Sequence, residues 1–262
     1  SGLPQSSIDA AAEQAKKDGM EGKWVFTLSK PSLIPFLQYA DNRDLREKIY
    51  MGYVMRGNND NATDNKELIE EMSKLRLQKA KLLGYEDYAS YVLEANMAKD
   101  VPTVDKFLAD LFKPALKVAK KDLKELQEIA NFQTLYTTPV DVESWDWWYY
   151  AEMVRKAKYN FDENELKPYL SLNNVRDGMF MVANKLYGIT FNQRTDIPVY
   201  FDGVETWEVK EKDGSHIGII YLDYYPRDSK SGGAWCTSFR EAGYDIEGNK
   251  ITPLVSLVLN FT

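Results

Sequence analysis

The sequence predicts an α+β fold, predominantly helical, with a small and mainly antiparallel sheet near the C-terminus. Three observations predict it. Apolar residues recur three and four positions apart through residues 1–190. After Gly188 the pattern turns to alternation punctuated by Asp213-Gly214 and Gly232-Gly233. The 262 residues are 44% hydrophobic and 28% charged, with mean hydropathy −0.48, which describes a chain with a real core. Wholesale disorder, collagen-like sequence and a membrane bundle are thereby excluded.

The elements follow in order. Ser6 or Ser7 can cap a helix over Ile8–Lys17, with Gly19 as its left-handed terminal residue. Trp24–Leu28 is short, aromatic and β-branched, an extended link. Helical spacing resumes over Ser32–Ala40 and Asp44–Arg56. Gly57-Asn58-Asn59-Asp60-Asn61 is a loop, after which Thr63 or Asp64 caps a helix with Leu68, Met72, Leu75 and Ala80 on one stripe, stopping near Gly84. The longest pattern starts beside Pro102 and Thr103 and carries Leu108, Leu111, Ala115, Val118, Leu123, Leu126 and Ile129 on one face. Pro114 should kink or break it. Its Lys117, Lys120, Lys121, Lys124 and Glu125 read as a solvated face. Trp145–Lys158 and Val175–Leu186 complete the helical part. Thr206–Glu211 and Ile217–Tyr225 form a hairpin around Asp213-Gly214. Gly232–Phe239 and Leu254–Phe261 are two further strands. No internal repeat or low-complexity segment interrupts them.

Counts of residue types limit the chemistry. Lys and Arg number 33 against 40 Asp and Glu, a net charge of −7, which argues against nucleic acid as a partner. The longest strongly apolar stretch, Leu254–Leu259, is far short of the roughly 20 residues a spanning helix needs, so no membrane partner is expected. One cysteine, Cys236, forbids an intrachain disulfide and any multi-cysteine zinc site. It is compatible with a cytoplasmic or a periplasmic location. One histidine, His216, forbids any mechanism that needs two.

Local candidates reduce to dull alternatives. A Cys236 nucleophile would need His216 as its base, with no local motif joining them; a small buried apolar side chain is the default for Cys236, and a surface or edge position for His216. Carboxylate pairs such as Glu70-Glu71 and Asp162-Glu163 arise by chance among 40 acids. Lys230-Ser231-Gly232-Gly233 reverses the order of a phosphate loop and is set aside. Trp145-Asp146-Trp147-Trp148-Tyr149-Tyr150 holds five aromatics in six positions, with Trp145, Trp148 and Tyr149 on one helical face. Core packing is its default, and an aromatic groove wall the alternative. The stretch from Tyr221 to Trp235 says most. A strand ends in Tyr224-Tyr225-Pro226, a polar turn follows, and glycines that mark close backbone approach open the next strand, which at a sheet edge can hold an extended peptide.

Tyr221–Trp235, with Asp228-Ser229-Lys230-Ser231-Gly232-Gly233-Ala234-Trp235 within it, closely resembles the segment preceding the zinc motif in thimet-oligopeptidase-like (M3) zinc metallopeptidases. Its wording is most like the bacterial peptidyl-dipeptidase (dipeptidyl carboxypeptidase) branch. Matches in the family's order also fall at Asn42-Arg43-Asp44-Leu45-Arg46-Glu47, Lys81-Leu82-Leu83-Gly84-Tyr85, and Trp145-Asp146 with Tyr149-Tyr150. The resemblance implies a zincin-like (neurolysin/thimet oligopeptidase-like) catalytic domain. It implies a metallopeptidase that hydrolyses short oligopeptides in a deep channel and, in this branch, releases C-terminal dipeptides. Its zinc is held by a His-Glu-x-x-His helix plus a further glutamate, with the motif glutamate as general base.

This sequence contains no His-Glu-x-x-His. It ends Asn260-Phe261-Thr262, similar to the strand just ahead of that helix, and opens Ser1-Gly2-Leu3-Pro4 without methionine. The expectation is a partial domain: residues 1–190 as its helical part and 191–262 as a β-rich part leading to an absent zinc-binding helix. No catalytic or metal-ligating residue is then expected here, and zinc belongs to the full-length parent alone. The resemblance assigns Gly232, Gly233, Ala234 and Trp235 to a strand against which substrate lies. The expected partners are oligopeptide substrates and the missing C-terminal part of the same domain. The rival reading is a naturally short, metal-free domain that binds peptides or partner helices.

Overall fold

The computed structural model describes residues 1–133, 138–160, 165–227 and 229–261. They form two compact units, Ser1–Leu28 with Ser32–Asn160, and Ser29–Pro31 with Phe161–Thr262. Among the described residues, no helix is long and apolar enough to cross a membrane.

The first unit is helical: α1 (Gln5–Lys17), α2 (Lys30–Tyr39), α3 (Arg43–Val54), α4 (Lys66–Leu82), α5 (Tyr88–Leu93), α6 (Val101–Gln133) and α7 (Trp147–Tyr159), the last entered through a 3-10 turn at Ser144–Asp146. Glycine stops are placed where the sequence puts them. Gly19, at φ +72°, donates to the Lys16 carbonyl while Met20 donates to that of Ala15, and Gly84 and Tyr85 repeat this pattern on Lys81 and Ala80. A glycine is needed there because the reversing residue has positive φ. The starts differ from expectation. Pro4 precedes α1, whose cap is not a serine side chain, and Asn65 stands at the cap of α4 while the Asp64 carboxylate accepts from the Lys66 amide. Helix α6 runs unbroken through Pro114. Its amphipathic pattern continues across the proline, so only the Asp110 carbonyl loses its i+4 donor.

Apolar stripes do not by themselves guarantee burial. Leu126 and Ala130 of α6 pack with Tyr150 of α7, joined by Ile129, Val140, Val142 and Val154. Farther up α6, Leu108, Leu111 and Val118 are exposed, as are Leu68, Met72 and Leu75 of α4.

The second unit holds α8 (Leu172–Tyr187) and seven strands: β1 (Thr190–Gln193), β2 (Glu205–Lys210), β3 (His216–Asp223), β4 (Trp235–Arg240), β5 (Gly243–Tyr244), β6 (Lys250–Ile251) and β7 (Leu254–Val258). Five form one sheet in the order β1-β2-β3-β7-β4, and β5 and β6 form a separate hairpin. The sheet is mixed: β7 lies parallel to β3 and antiparallel to β4. Alternation identifies strands but carries no partner information, so the insertion of β7 between β3 and β4 is a tertiary result. Strand β4 begins at Trp235, three residues later than the sequence pattern suggests, and β3 and β7 stop earlier, at Asp223 and Val258. Pairing still continues beyond β7, as Leu259 N–H donates to the Asp223 carbonyl and Phe261 N–H to that of Tyr224.

The sheet has two distinct faces. On one, Phe180 of α8 stacks on Phe191 of β1 at 4.1 Å and meets Trp207 of β2 edge-on at 4.8 Å. The other presents Tyr221 and Asp223 of β3 beside Ser256 and Val258 of β7, then Thr237 and Trp235 of β4, as the register requires.

Candidate functional site: an edge strand and its ionic turn

Pro226 follows β3 and cannot donate to a ladder, so the chain leaves the sheet and bends back on the strand's last side chain. That side chain is Asp223, which is buried. Arg227 donates through Nη1 and Nη2 to its two carboxylate oxygens at 2.9 Å each. Lys230, its side chain 2% exposed, donates from Nζ to Asp223 Oδ1 at 2.9 Å and to the Asp223 and Tyr225 carbonyls at 3.0 and 2.8 Å. The Tyr200 hydroxyl donates to Asp223 Oδ2 at 3.0 Å and sits 3.2 Å from Ser256 Oγ. Burial pushes the Asp223 carboxyl up, but its bonds to Arg227, Lys230 and Tyr200 outweigh this and hold it below the usual carboxylate range. Burial also raises the Tyr200 hydroxyl, a shift its bond to Ser256 opposes and the Asp223 charge reinforces.

This ionic knot fixes the turn leading to the four residues singled out in the sequence. Gly232, Gly233 and Ala234 lie in the loop before β4 and Trp235 is its first residue; all four are exposed. Asn260 Nδ2 donates to the Gly233 carbonyl at 2.7 Å and the Ser231 carbonyl at 3.1 Å. Gly233 has φ +103°, a conformation that L side chains rarely adopt, although an added Cβ would meet nothing within 4 Å. Its requirement for glycine is therefore conformational. Gly232 has neither constraint.

Strand β4 ends the sheet, so among the described residues its outer edge pairs with no strand. Every second residue turns its N–H and C=O toward that edge. Beside it opens a cleft of about 250 Å³, lined chiefly by Trp235, Thr237 and Phe239 of β4, Tyr200, and Arg227, Ser229 and Lys230 of the turn.

The aromatic run resolves into a different arrangement. Tyr150 is buried, but Trp147 and Trp148 are exposed. Asp146, fully buried, organises the cluster. It accepts from Arg43 Nε and Nη2 at 3.0 and 2.8 Å, from Arg46 Nη2 at 2.8 Å, and from the Glu143 amide at 3.2 Å. Arg46 also stacks 4.0 Å from the Tyr149 ring, whose hydroxyl is pushed up to about 12 by burial and by the neighbouring Asp41. The motifs at residues 42–47 and 145–150 thus meet in a buried charge network.

Cys236 is exposed, contrary to the buried position expected, because β4 is an edge strand. It pairs with Leu257, which pairs with Leu222, six residues along β3 from His216. At about 3.3 Å per residue the two are on the order of 20 Å apart along the strands, so they form no dyad. His216 Nδ1 instead meets Glu208 Oε1 at 2.9 Å. Glu70, beside Glu71, pairs with Lys74 at 2.5 Å on the exposed surface of α4, while Asp162 and Glu163 lie outside the described residues. Among the described residues no three His, Cys, Asp or Glu side chains are grouped to hold a metal ion. With one histidine, the two-imidazole zinc site implied by the resemblance does not fit this chain.

An open edge strand beside a fixed turn is a surface on which a polypeptide can be held, and comparison with known proteins identifies the family. Its residues 36–262 match the model of Peptidase family M3, and the chain belongs to that family. It is 36% identical to the dipeptidyl carboxypeptidase of Salmonella typhimurium over 262 residues, covering 99% of this chain and 38% of that protein. It is 35% identical to dipeptidyl carboxypeptidase of Escherichia coli over 99% of this chain and 37% of that protein, and 34% identical to oligopeptidase A of Escherichia coli, again over 99% and 38%. The chain therefore spans under two-fifths of the length of these relatives.

Sequence reasoning singled out Gly232 and Gly233, as the opening of a strand and not as the loop before it, and assigned no role to Tyr200, Asp223, Arg227, Lys230 or Asn260. A partial signal existed: the acid and two bases stand at i, i+4 and i+7 around Pro226. Tyr200 and Asn260 carried none, since only the fold brings them to the turn.

Proposed function

We propose that this chain is the non-metal portion of a zinc-dependent peptidase that hydrolyses short peptides, releasing C-terminal dipeptides as the names of its dipeptidyl carboxypeptidase relatives state. Its contribution is to hold substrate backbone on β4. The carrying observation is that β4 closes the sheet with an edge unpaired among the described residues, while the Asp223 knot and Asn260 fix the loop entering it. A peptide added there gains main-chain hydrogen bonds that do not depend on its sequence, which suits an enzyme of broad substrate range. Gly232, Gly233, Ala234 and Trp235 are the substrate-facing entry to that strand.

Residues 1–190 then serve as helical framework, and 191–262 as the β-rich part adjoining the metal helix of the whole protein. The exposed apolar stripes of α4 and α6 support a place within a larger domain, because they are surfaces a further part of the same polypeptide would cover. The zinc, its ligands and the general base belong to that further part. This chain alone is expected neither to hydrolyse peptides nor to retain zinc.

Two measurements test the reading. Zinc content and oligopeptide hydrolysis of the 262-residue chain should both stand at background; stoichiometric zinc with turnover would overturn it. In the whole protein, Gly233→Val should lower kcat/KM for short peptides with the fold retained, because the φ at 233 is lost; an unchanged value would remove β4 from substrate binding.

A further inference from the structure

Resting on that reading of β4, the geometry points to a side-chain subsite beside the edge: the cleft under Phe239 and Tyr200 receives one large apolar or aromatic side chain of an extended peptide paired with β4. Two rings from separate parts of the chain, Tyr200 and Phe239, line it, and Tyr221 packs against both. Tyr200, Tyr221 and Phe239 lie pairwise 6.1, 6.0 and 5.8 Å apart, with the last pair nearly perpendicular at 88°. The two contacts of Phe239 are edge-to-face, an arrangement that holds rings in fixed orientation. Tyr200 is nonetheless 47% exposed and Phe239 59%, so the described residues of this chain leave part of each ring uncovered.

The charged groups in the cleft are already occupied. Arg227 and Lys230 are both bonded to Asp223, and the Arg227 guanidinium lies over the Phe201 ring, 4.3 Å from its centre. The Tyr200 hydroxyl is bonded to Asp223 and Ser256. An incoming acid would therefore compete with Asp223 for these cations, whereas an apolar group needs no polar partner. The volume, about 250 Å³, leaves room for one large apolar side chain.

Register brings the occupant there. Trp235 and Thr237 alternate onto the cleft face of β4, and Phe239 joins them there across the break in register between Ser238 and Arg240. A strand added about 4.8 Å beyond the edge projects every second side chain to the same face. A peptide residue opposite Thr237 then lies between Trp235 and Phe239, within diagonal reach of both. Backbone pairing supplies attraction without sequence preference, and this cleft supplies preference at one position in two.

The test is a titration of the isotope-labelled 262-residue chain with Ac-Ala-Ala-Xaa-Ala-Ala-amide peptides in which Xaa is Phe, Leu, Glu or Gly. The expected result is shifted amides over 235–240 with every peptide that binds, and about tenfold tighter binding of Phe than Gly, with Leu between and Glu no better than Gly. Phe239→Ser should reduce the Phe-to-Gly ratio below about threefold, while Phe239→Leu, which keeps an apolar wall and reports on folding, retains most of it. Equal affinity for Phe and Gly with β4 amides still shifting would overturn the subsite and leave the edge reading standing. A preference that survives Phe239→Ser would likewise overturn it by placing selection elsewhere. No β4 shift with any peptide would overturn both.

Discussion

Asp223→Asn is the sharpest test of the turn that positions β4. The carboxylate takes four donors: both terminal nitrogens of Arg227, the Lys230 ammonium and the Tyr200 hydroxyl. An asparagine of the same shape offers one oxygen and turns an N–H₂ toward the remaining donors. Removing one partner of a buried ion pair costs about 3–5 kcal/mol, because the other charge is left uncompensated. Here Lys230 keeps two carbonyls and Arg227, 18% exposed, can reach water, so the cost falls near the lower end, about 3 kcal/mol. The readout is amide exchange at Leu259 and Phe261, whose N–H groups bond the Asp223 and Tyr224 carbonyls. At 1.4 kcal/mol per factor of ten, exchange should quicken about 100-fold. Adding Lys230→Met removes the stranded cation and should recover part of that loss. An acceleration under tenfold in a well-folded variant would refute the view that this charge network holds the turn.

Further outcomes are specified by other contacts. Asp146→Asn should destabilise the first unit by about 3–5 kcal/mol in denaturant melts, since Arg46, its side chain 2% exposed, loses its buried carboxylate; a loss below 1 kcal/mol would contradict this. Pro114→Ala should raise stability by about 1–3 kcal/mol and the melting temperature by a few degrees, by restoring the i−4 bond within α6; an unchanged melt would show that the proline carries no cost there. Asn260→Ala frees the Ser231 and Gly233 carbonyls and should loosen residues 231–234 in NMR order parameters, with peptide affinity reduced about fivefold for the roughly 1 kcal/mol lost. Asp223 and Glu152 are both held below their ordinary values, against the opposing push of burial. Their contribution is complete above the unfolded values of about 4 and is lost as pH falls through the lower folded ones, so urea melts should show equal contributions at pH 5 and 7 and a loss near pH 3. Greater stability at pH 3 than at pH 5 would reverse the sign.

Helix existence and stop positions were legible because they depend on neighbours within a turn or two: Gly19, Gly84 and Gly188 end α1, α4 and α8 by adopting positive φ. The helix starts were less so, since Pro4 and Asn65 occupy places the sequence assigned to Ser6 or Ser7 and to Thr63 or Asp64. Burial was less legible still. The α6 stripe predicts a covered face over its length, yet only the part near Leu126 and Ala130 meets α7 and Tyr150. Periodicity says which side is apolar and says nothing of whether a partner stands opposite.

The amino-acid order alone determined the helical majority, the shift to strands after Gly188, the single histidine that rules out a two-imidazole metal site, and the likeness to M3 peptidases. All of these rest on local spacing, on counts, or on words of sequence. Only the tertiary structure decided that β7 enters between β3 and β4, leaving β4 with an open edge and Cys236 in solvent. It also decided that Tyr200, Asp223, Lys230 and Asn260 close on one turn. Those pairings join residues up to 56 positions apart, where the free energy comes from burial and from satisfying a shared carboxylate, and neither quantity is written in any stretch of neighbouring residues.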